Sequence, residues 1–138
     1  MKAWNVALVL ALSGCPKGVA PVSGLDTGAL DVNAPCDPTG AAPALRPFLG
    51  AWQPEDSSAI FRACMSGGQL RVDGWDSADG ERFVISAVAF DGTELRFDSL
   101  RPSTEFRVQN TLAFVDGELI VVRNGQGEGA RMEKKGAD

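Results

Sequence analysis

From Phe48 onward the chain is interrupted roughly every ten residues by a glycine-containing turn, a spacing that belongs to all-β sandwiches and barrels. Asp79-Gly80, Asp91-Gly92 and Asp116-Gly117 each separate two apolar runs, and Gly67-Gly68 marks a fourth break. Asp-Gly favours type I′ turns, because both residues tolerate positive φ, so neighbouring runs are expected to pair as antiparallel hairpins. The runs read as eight strands over 48–53, 58–65, 69–76, 81–90, 93–99, 104–115, 118–123 and 129–134.

Alternation within these runs assigns their faces. Leu95, Phe97 and Ser99 share one side of the fifth run, opposite Glu94, Arg96 and Asp98. Phe106, Val108, Asn110, Leu112 and Phe114 share one side of the sixth, opposite Glu105, Arg107, Gln109 and Thr111. A meander with one apolar and one wet face must cover the apolar face, and closing on itself does so while removing both free edges. The expected fold is therefore an all-β, antiparallel, up-and-down eight-stranded barrel. Residues 81–90 break the alternation, which points to a bend or a covered outer face. Residues 56–65 could also form a short helix capped by Asp56 or Ser57 and ended by Gly67, but the strand reading is preferred.

The N-terminus has a different character. Met1-Lys2 precedes an apolar stretch, Ala3 to Leu12, that is too short to span a bilayer as a stop-transfer helix and reads as the apolar region of a signal peptide. Leu12-Ser13-Gly14-Cys15 resembles the lipobox of bacterial lipoproteins. That resemblance implies cleavage after residue 14, a diacylglycerol thioether on Cys15 and acylation of its new α-amino group. Two or three acyl chains hold a protein on a membrane where one would not. Residues 15–44 follow as a Pro-, Gly- and Ala-rich linker, then a barrel domain over 45–135 and a tail over 136–138. The lipoprotein reading implies a cell-envelope location, on the outer membrane facing the periplasm. With Cys15 taken by lipid, Cys36 and Cys64 remain in an oxidising compartment and are expected to form a disulfide.

Charge and composition narrow the function classes. The chain has 13 Lys and Arg against 18 Asp and Glu, and this acidic balance argues against a nucleic-acid partner. It has no His, which removes the side chain best suited to acid–base work near neutral pH and the commonest metal ligand. A Ser nucleophile would need a Lys base, yet beyond the leader lysine occurs only at 17, 134 and 135. Asp73, Asp76, Asp79 and Glu81 lack the spacing of a calcium loop and read as a solvated hairpin tip, with a carboxylate-dependent hydrolase as the alternative. No enzyme activity, cofactor or metal site is expected.

Phe48-Leu49-Gly50-Ala51-Trp52 at the start of the first strand resembles the Gly-x-Trp entry of calycin and lipocalin-like barrels. The resemblance covers about 48–134. It implies that Gly50 and Trp52 are structural signature residues and that Arg131, on the last strand, packs across the Trp52 ring as a cation–π pair. The expected role is a binding or interaction module for a small hydrophobic ligand or an envelope protein, with Phe97, Phe106, Asn110 and Phe114 as candidate lining residues. A structural lipoprotein with a filled core is the other reading. Eight strands enclose either a filled interior or room for one small ligand. The large inward residues favour a packed lower half around Trp52 and a shallow apolar mouth. The lipobox reading predicts that Cys15→Ala stops lipid labelling and leaves an unprocessed or mislocalised precursor, as followed by incorporation of labelled palmitate.

Overall fold

The computed structural model describes residues 32–136, and each of the eight runs forms a strand. They are β1 (Gly50–Pro54), β2 (Ala59–Ser66), β3 (Gln69–Asp76), β4 (Val84–Phe90), β5 (Glu94–Arg101), β6 (Phe106–Val115), β7 (Glu118–Arg123) and β8 (Gln126–Lys135). All pair antiparallel in one sheet of order β3-β2-β1-β8-β7-β6-β5-β4. The fold is an up-and-down, nearly closed eight-stranded barrel. Its only helical element among the described residues is a 3-10 turn, Arg46–Phe48. Residues 59–66 are strand, not helix, because their alternate residues Phe61 and Ala63 enter the core. The leader and Cys15 lie outside the described residues.

The turn chemistry differs from expectation in detail. Both residues have positive φ in Asp116-Gly117 and in Gly67-Gly68, as a type I′ turn requires. At Asp79-Gly80 and Asp91-Gly92 only the glycine does, because these sit in longer loops. In the second of these, Asp91 Oδ1 accepts hydrogen bonds from the Thr93 and Glu94 N–H groups, which hold its carboxyl down to about 2. Asn124-Gly125 makes a further tight turn with both φ positive, so β8 begins three residues before the expected 129.

The irregular run 81–90 resolves into two parts. Residues 81–83 are held to β3 by a single Trp75–Arg82 bridge and by the Phe83 N–H donating to the Gly74 carbonyl at 2.9 Å. In β4 itself the register shifts between Ser86 and Ala89, with Ala87 at φ 55°. This bulge resets the alternation, so Ile85, Val88 and Phe90 all pack on the core while Val84, Ser86 and Ala89 face solvent.

The interior is filled through its middle. Phe97, Leu95, Leu119 and Val121 are all but inaccessible, and the Phe61 ring lies 5.0 Å from that of Phe97. One end of the barrel is plugged by the segment preceding β1. Ala41, Leu45, Phe48 and Leu49 are buried, and Phe48 packs edge-on against Phe90 at 5.3 Å and Phe114 at 5.0 Å. The chain enters this plug from outside the barrel, where Cys36 is bonded to Cys64 on the outer side of β2 with Cα atoms 5.3 Å apart. Arg62 fastens the same strap by donating to the carbonyls of Ala34 and Pro35. The disulfide joins cysteines 28 positions apart in the sequence, which in the chain-entropy treatment stabilises by roughly 3.5 kcal/mol. The second half of the inferred linker is thus part of the folded structure. Because Phe97 sits at the centre of a packed interior, Phe97→Ala should destabilise by roughly 3–5 kcal/mol, read from urea unfolding.

Candidate functional site

The end opposite the plug is built from the β1–β2, β3–β4, β5–β6 and β7–β8 connections, and there the barrel is open. A pocket of about 240 Å³ lies within it. Its apolar wall is Phe61, Phe83 and Val108, and Phe106 stands at the lip with 61% of its surface exposed. The wall depends on a glycine. Gly74 faces inward on β3, and a Cβ there would meet Phe61 Cδ1 at 2.8 Å and Phe83 Cδ2 at 3.0 Å, so a side chain would displace both rings.

Asn110 and Ser99 form the floor. Asn110 is buried, and its Nδ2 donates to Ser99 Oγ at 3.1 Å and to the carbonyls of Phe97 and Val108 at 3.3 Å. The amide is held by three acceptors, which offsets the cost of placing it directly above the apolar core.

The rim is organised by Arg101, at the end of β5. Its Nη2 pairs with Asp76, and its Nη1 reaches Asp79 at 3.3 Å and Glu81 at 2.7 Å. Glu81 also accepts from Ser103, through the backbone N–H at 2.7 Å and Oγ at 2.8 Å. This ties the β3–β4 loop to the β5–β6 turn. Burial pushes the Asp76 carboxyl up, but hydrogen bonds from Ser58 Oγ and the Ala78 N–H, together with Arg101, leave it below the usual carboxylate range. Ser103 and then Arg101 lower Glu81 as well, while Asp76 first among its partners raises Arg101. Acid–base pairs need carboxyls pushed apart, and here Asp76 and Glu81 move the same way under one shared cation. The Arg101 guanidinium also lies 5.3 Å from the Phe83 ring centre.

For Asp76 this corrects the reading of the acidic cluster as a solvated hairpin tip, whereas Asp79, at the tip itself, is exposed. Asp76 falls on the inward parity of β3 with Val72 and Gly74, and it is 7% exposed. Asp73 has the opposite parity and joins Arg71 at 3.1 Å and Arg82 at 3.9 Å on the outer face. The sequence signal was the parity of Asp76. Its partner Arg101 lies 25 residues away on a strand that does not adjoin β3.

The other candidate residues separate. Of the four proposed lining residues, Phe106 and Asn110 line the pocket. Phe97 does not, because it lies beneath the Asn110 floor in the packed core; Phe114 does not, because it belongs to the plugged end, 6.4 Å from Trp52. Arg131 does not pack across Trp52. Trp52 faces inward opposite Phe61 and Lys134, whereas Arg131 has outward parity on β8 and contacts Glu55, Glu118 and Glu133. The cation over the Trp52 ring is Lys134, with Nζ 5.0 Å from the ring centre, and the indole N–H donates to the Phe48 carbonyl at 2.9 Å. Gly50 opens β1 at φ 121°, where Lys134 crosses so closely that a Cβ would meet its Cε at 2.6 Å. Comparison with known proteins finds no matching family, no matching curated protein and no matching solved structure.

The rim ion pair has a consequence for stability. Removing one partner of a fully buried pair costs roughly 3–5 kcal/mol, and the 24% exposure of the Arg101 side chain reduces this. Arg101→Gln should therefore destabilise by about 2 kcal/mol. In the native protein the folded-state pKa of Asp76 is depressed, so its stabilising contribution is present above 3.8 and lost as pH falls through the lower folded value. Acid unfolding of Arg101→Gln, followed by circular dichroism, should begin at a higher pH than in the wild type.

Proposed function

We propose that this protein is a lipid-anchored lipoprotein of the bacterial cell envelope whose barrel binds the apolar part of a small hydrophobic ligand at its open end. The anchor is the lipid on Cys15, at the outer membrane on its periplasmic side, and the module acts by binding rather than catalysis. The observation that carries the binding reading is the apolar-walled pocket of about 240 Å³ at the end that the described part of the N-terminal segment leaves uncovered. It is smaller than the roughly 300–1,000 Å³ of pockets that take drug-sized molecules, so it suits the end of an acyl chain or a molecule of similar girth. The export reading draws support from the Cys36–Cys64 disulfide, which belongs to an oxidising compartment.

The second reading, a structural lipoprotein without a ligand, is favoured by the filled interior below Asn110. Native mass spectrometry of residues 16–138, which retain every described element, separates the two. The binding reading expects one small hydrophobic molecule per chain, lost on Phe106→Ser, a lip substitution at an exposed site. A bare protein mass that stays bare after addition of 1-octanol would favour the filled-core reading.

A further inference from the structure

The polar groups of the pocket are not equally committed. Asp76 accepts from Ser58 and Ala78 through Oδ1 and pairs with Arg101 through Oδ2, so both of its oxygens are engaged. Arg101 in turn is shared among three carboxylates, and Asn110 among three acceptors. Arg123 differs. It has the inward parity of Leu119 and Val121 on β7, stands in register with Asn110 and lines the pocket. A guanidinium carries five N–H donors, and the hydrogen bond of Arg123 within the fold is from Nη2 to Asp56 Oδ2 at 2.6 Å. Asp56 belongs to the β1–β2 turn, whose Ser57 and Ser58 line the pocket. Its side chain is 54% exposed, and an ion pair this wet exchanges at little cost.

We propose that Arg123 reads the anionic head of a free, single-chain amphiphile whose apolar chain lies against Phe61, Phe83 and Val108, and that Asp56 is the internal anion which this head displaces. A cationic head is disfavoured because the carboxylate nearest the pocket, Asp76, is already neutralised. Two-chain lipids are disfavoured by the pocket's volume. The Arg123 hydrogen bond holds the Asp56 carboxyl below its ordinary range, so at neutral pH Asp56 competes as a full anion. This inference rests on the pocket being a binding site, and the test keeps the two apart by using a charged and an uncharged probe of equal chain length.

Isothermal titration of residues 16–138 at pH 7 with octanoate and with 1-octanol would be run on the wild type, Arg123→Gln and Asp56→Asn. The wild type should prefer octanoate. Arg123→Gln should lose octanoate affinity by about tenfold or more, the worth of a charge-assisted hydrogen bond, and leave 1-octanol unchanged. Asp56→Asn should bind octanoate severalfold more tightly and 1-octanol as before. A purely structural ion pair would instead move both variants in the same direction and both probes together. Should Arg123→Gln fail to fold, the gain in Asp56→Asn still decides. Equal affinity for the two probes in the wild type, or no gain in Asp56→Asn, would overturn the anion reading and leave the pocket standing. Binding of neither probe would overturn both. Arg123-dependent flotation with phosphatidylglycerol vesicles in place of octanoate binding would move the anion to a lipid headgroup and overturn its assignment to a free acid.

Discussion

The ladder between β1 and β8 is the contact on which the rest of the structure depends. A meander of eight strands would ordinarily leave its first and last strands as edges. Here Ala51, Trp52, Gln53 and Pro54 pair with Lys135, Lys134, Glu133 and Met132, so the ends of the sequence close the sheet and the gap moves to β3 and β4. The free edges that result are handled locally. The Trp75–Arg82 bridge pins one end of the gap, and the bulge at Ala87 bends the apolar β4 edge so that it presents no regular row of donors and acceptors to another chain.

That same ladder makes the two ends of the barrel unequal. Because β1 starts at Gly50 and is held between β2 and β8, the preceding residues must pass over the barrel end next to it. Phe48 fills that end against Phe90 and Phe114, and the Trp52 indole bonds back to the Phe48 carbonyl. The disulfide at Cys64 then fixes the segment from the outside of β2, so strap and plug are tied to the sheet from two sides. Among the described residues the opposite end has no such cover, and its loops are held to one another by charge instead.

Much of this architecture was legible in the sequence, because the period of two and the glycine turns report local geometry. Even the bulge in β4 was visible as a failure of alternation over 81–90. The Cys36–Cys64 bond followed from counting. What could not be read was whatever depends on which strands lie opposite one another. The resemblance to calycins implies a Trp52–Arg131 pair because Arg131 is a basic residue on the last strand, but meeting requires the same parity as well as neighbouring strands, and of the two cations only Lys134 has both. The Arg101 hub joins β3 to β5 across the open end, at a separation no periodicity encodes. The buried Ala41–Leu49 segment was hidden for the opposite reason. Its Ala- and Pro-rich composition carries no strand alternation, and the burial of Ala41, Leu45, Phe48 and Leu49 comes from where β1 begins rather than from such a pattern.

Asn110 then sets how deep anything can enter the open end. An amide N–H pair in the middle of an apolar barrel is tolerable only if its hydrogen bonds are made, and here the neighbouring backbone and Ser99 accept them. Beneath that level lie Phe97, Leu95, Leu119 and Val121, packed with no access to solvent. Deepening the pocket would require breaking the Asn110 bonds and displacing Phe97 together, since the amide is anchored on the Phe97 carbonyl itself. The barrel is thus a stack of four layers: an aromatic plug, a dry core, a polar shelf and a wet mouth. The shelf bounds the depth of the open end, and the rim carries its charge. The shelf is anchored on the Phe97 and Val108 carbonyls, and at the rim Asp76 and Glu81 accept from the Ala78 and Ser103 backbone N–H groups, so these groups do not move without the chain segments that carry them.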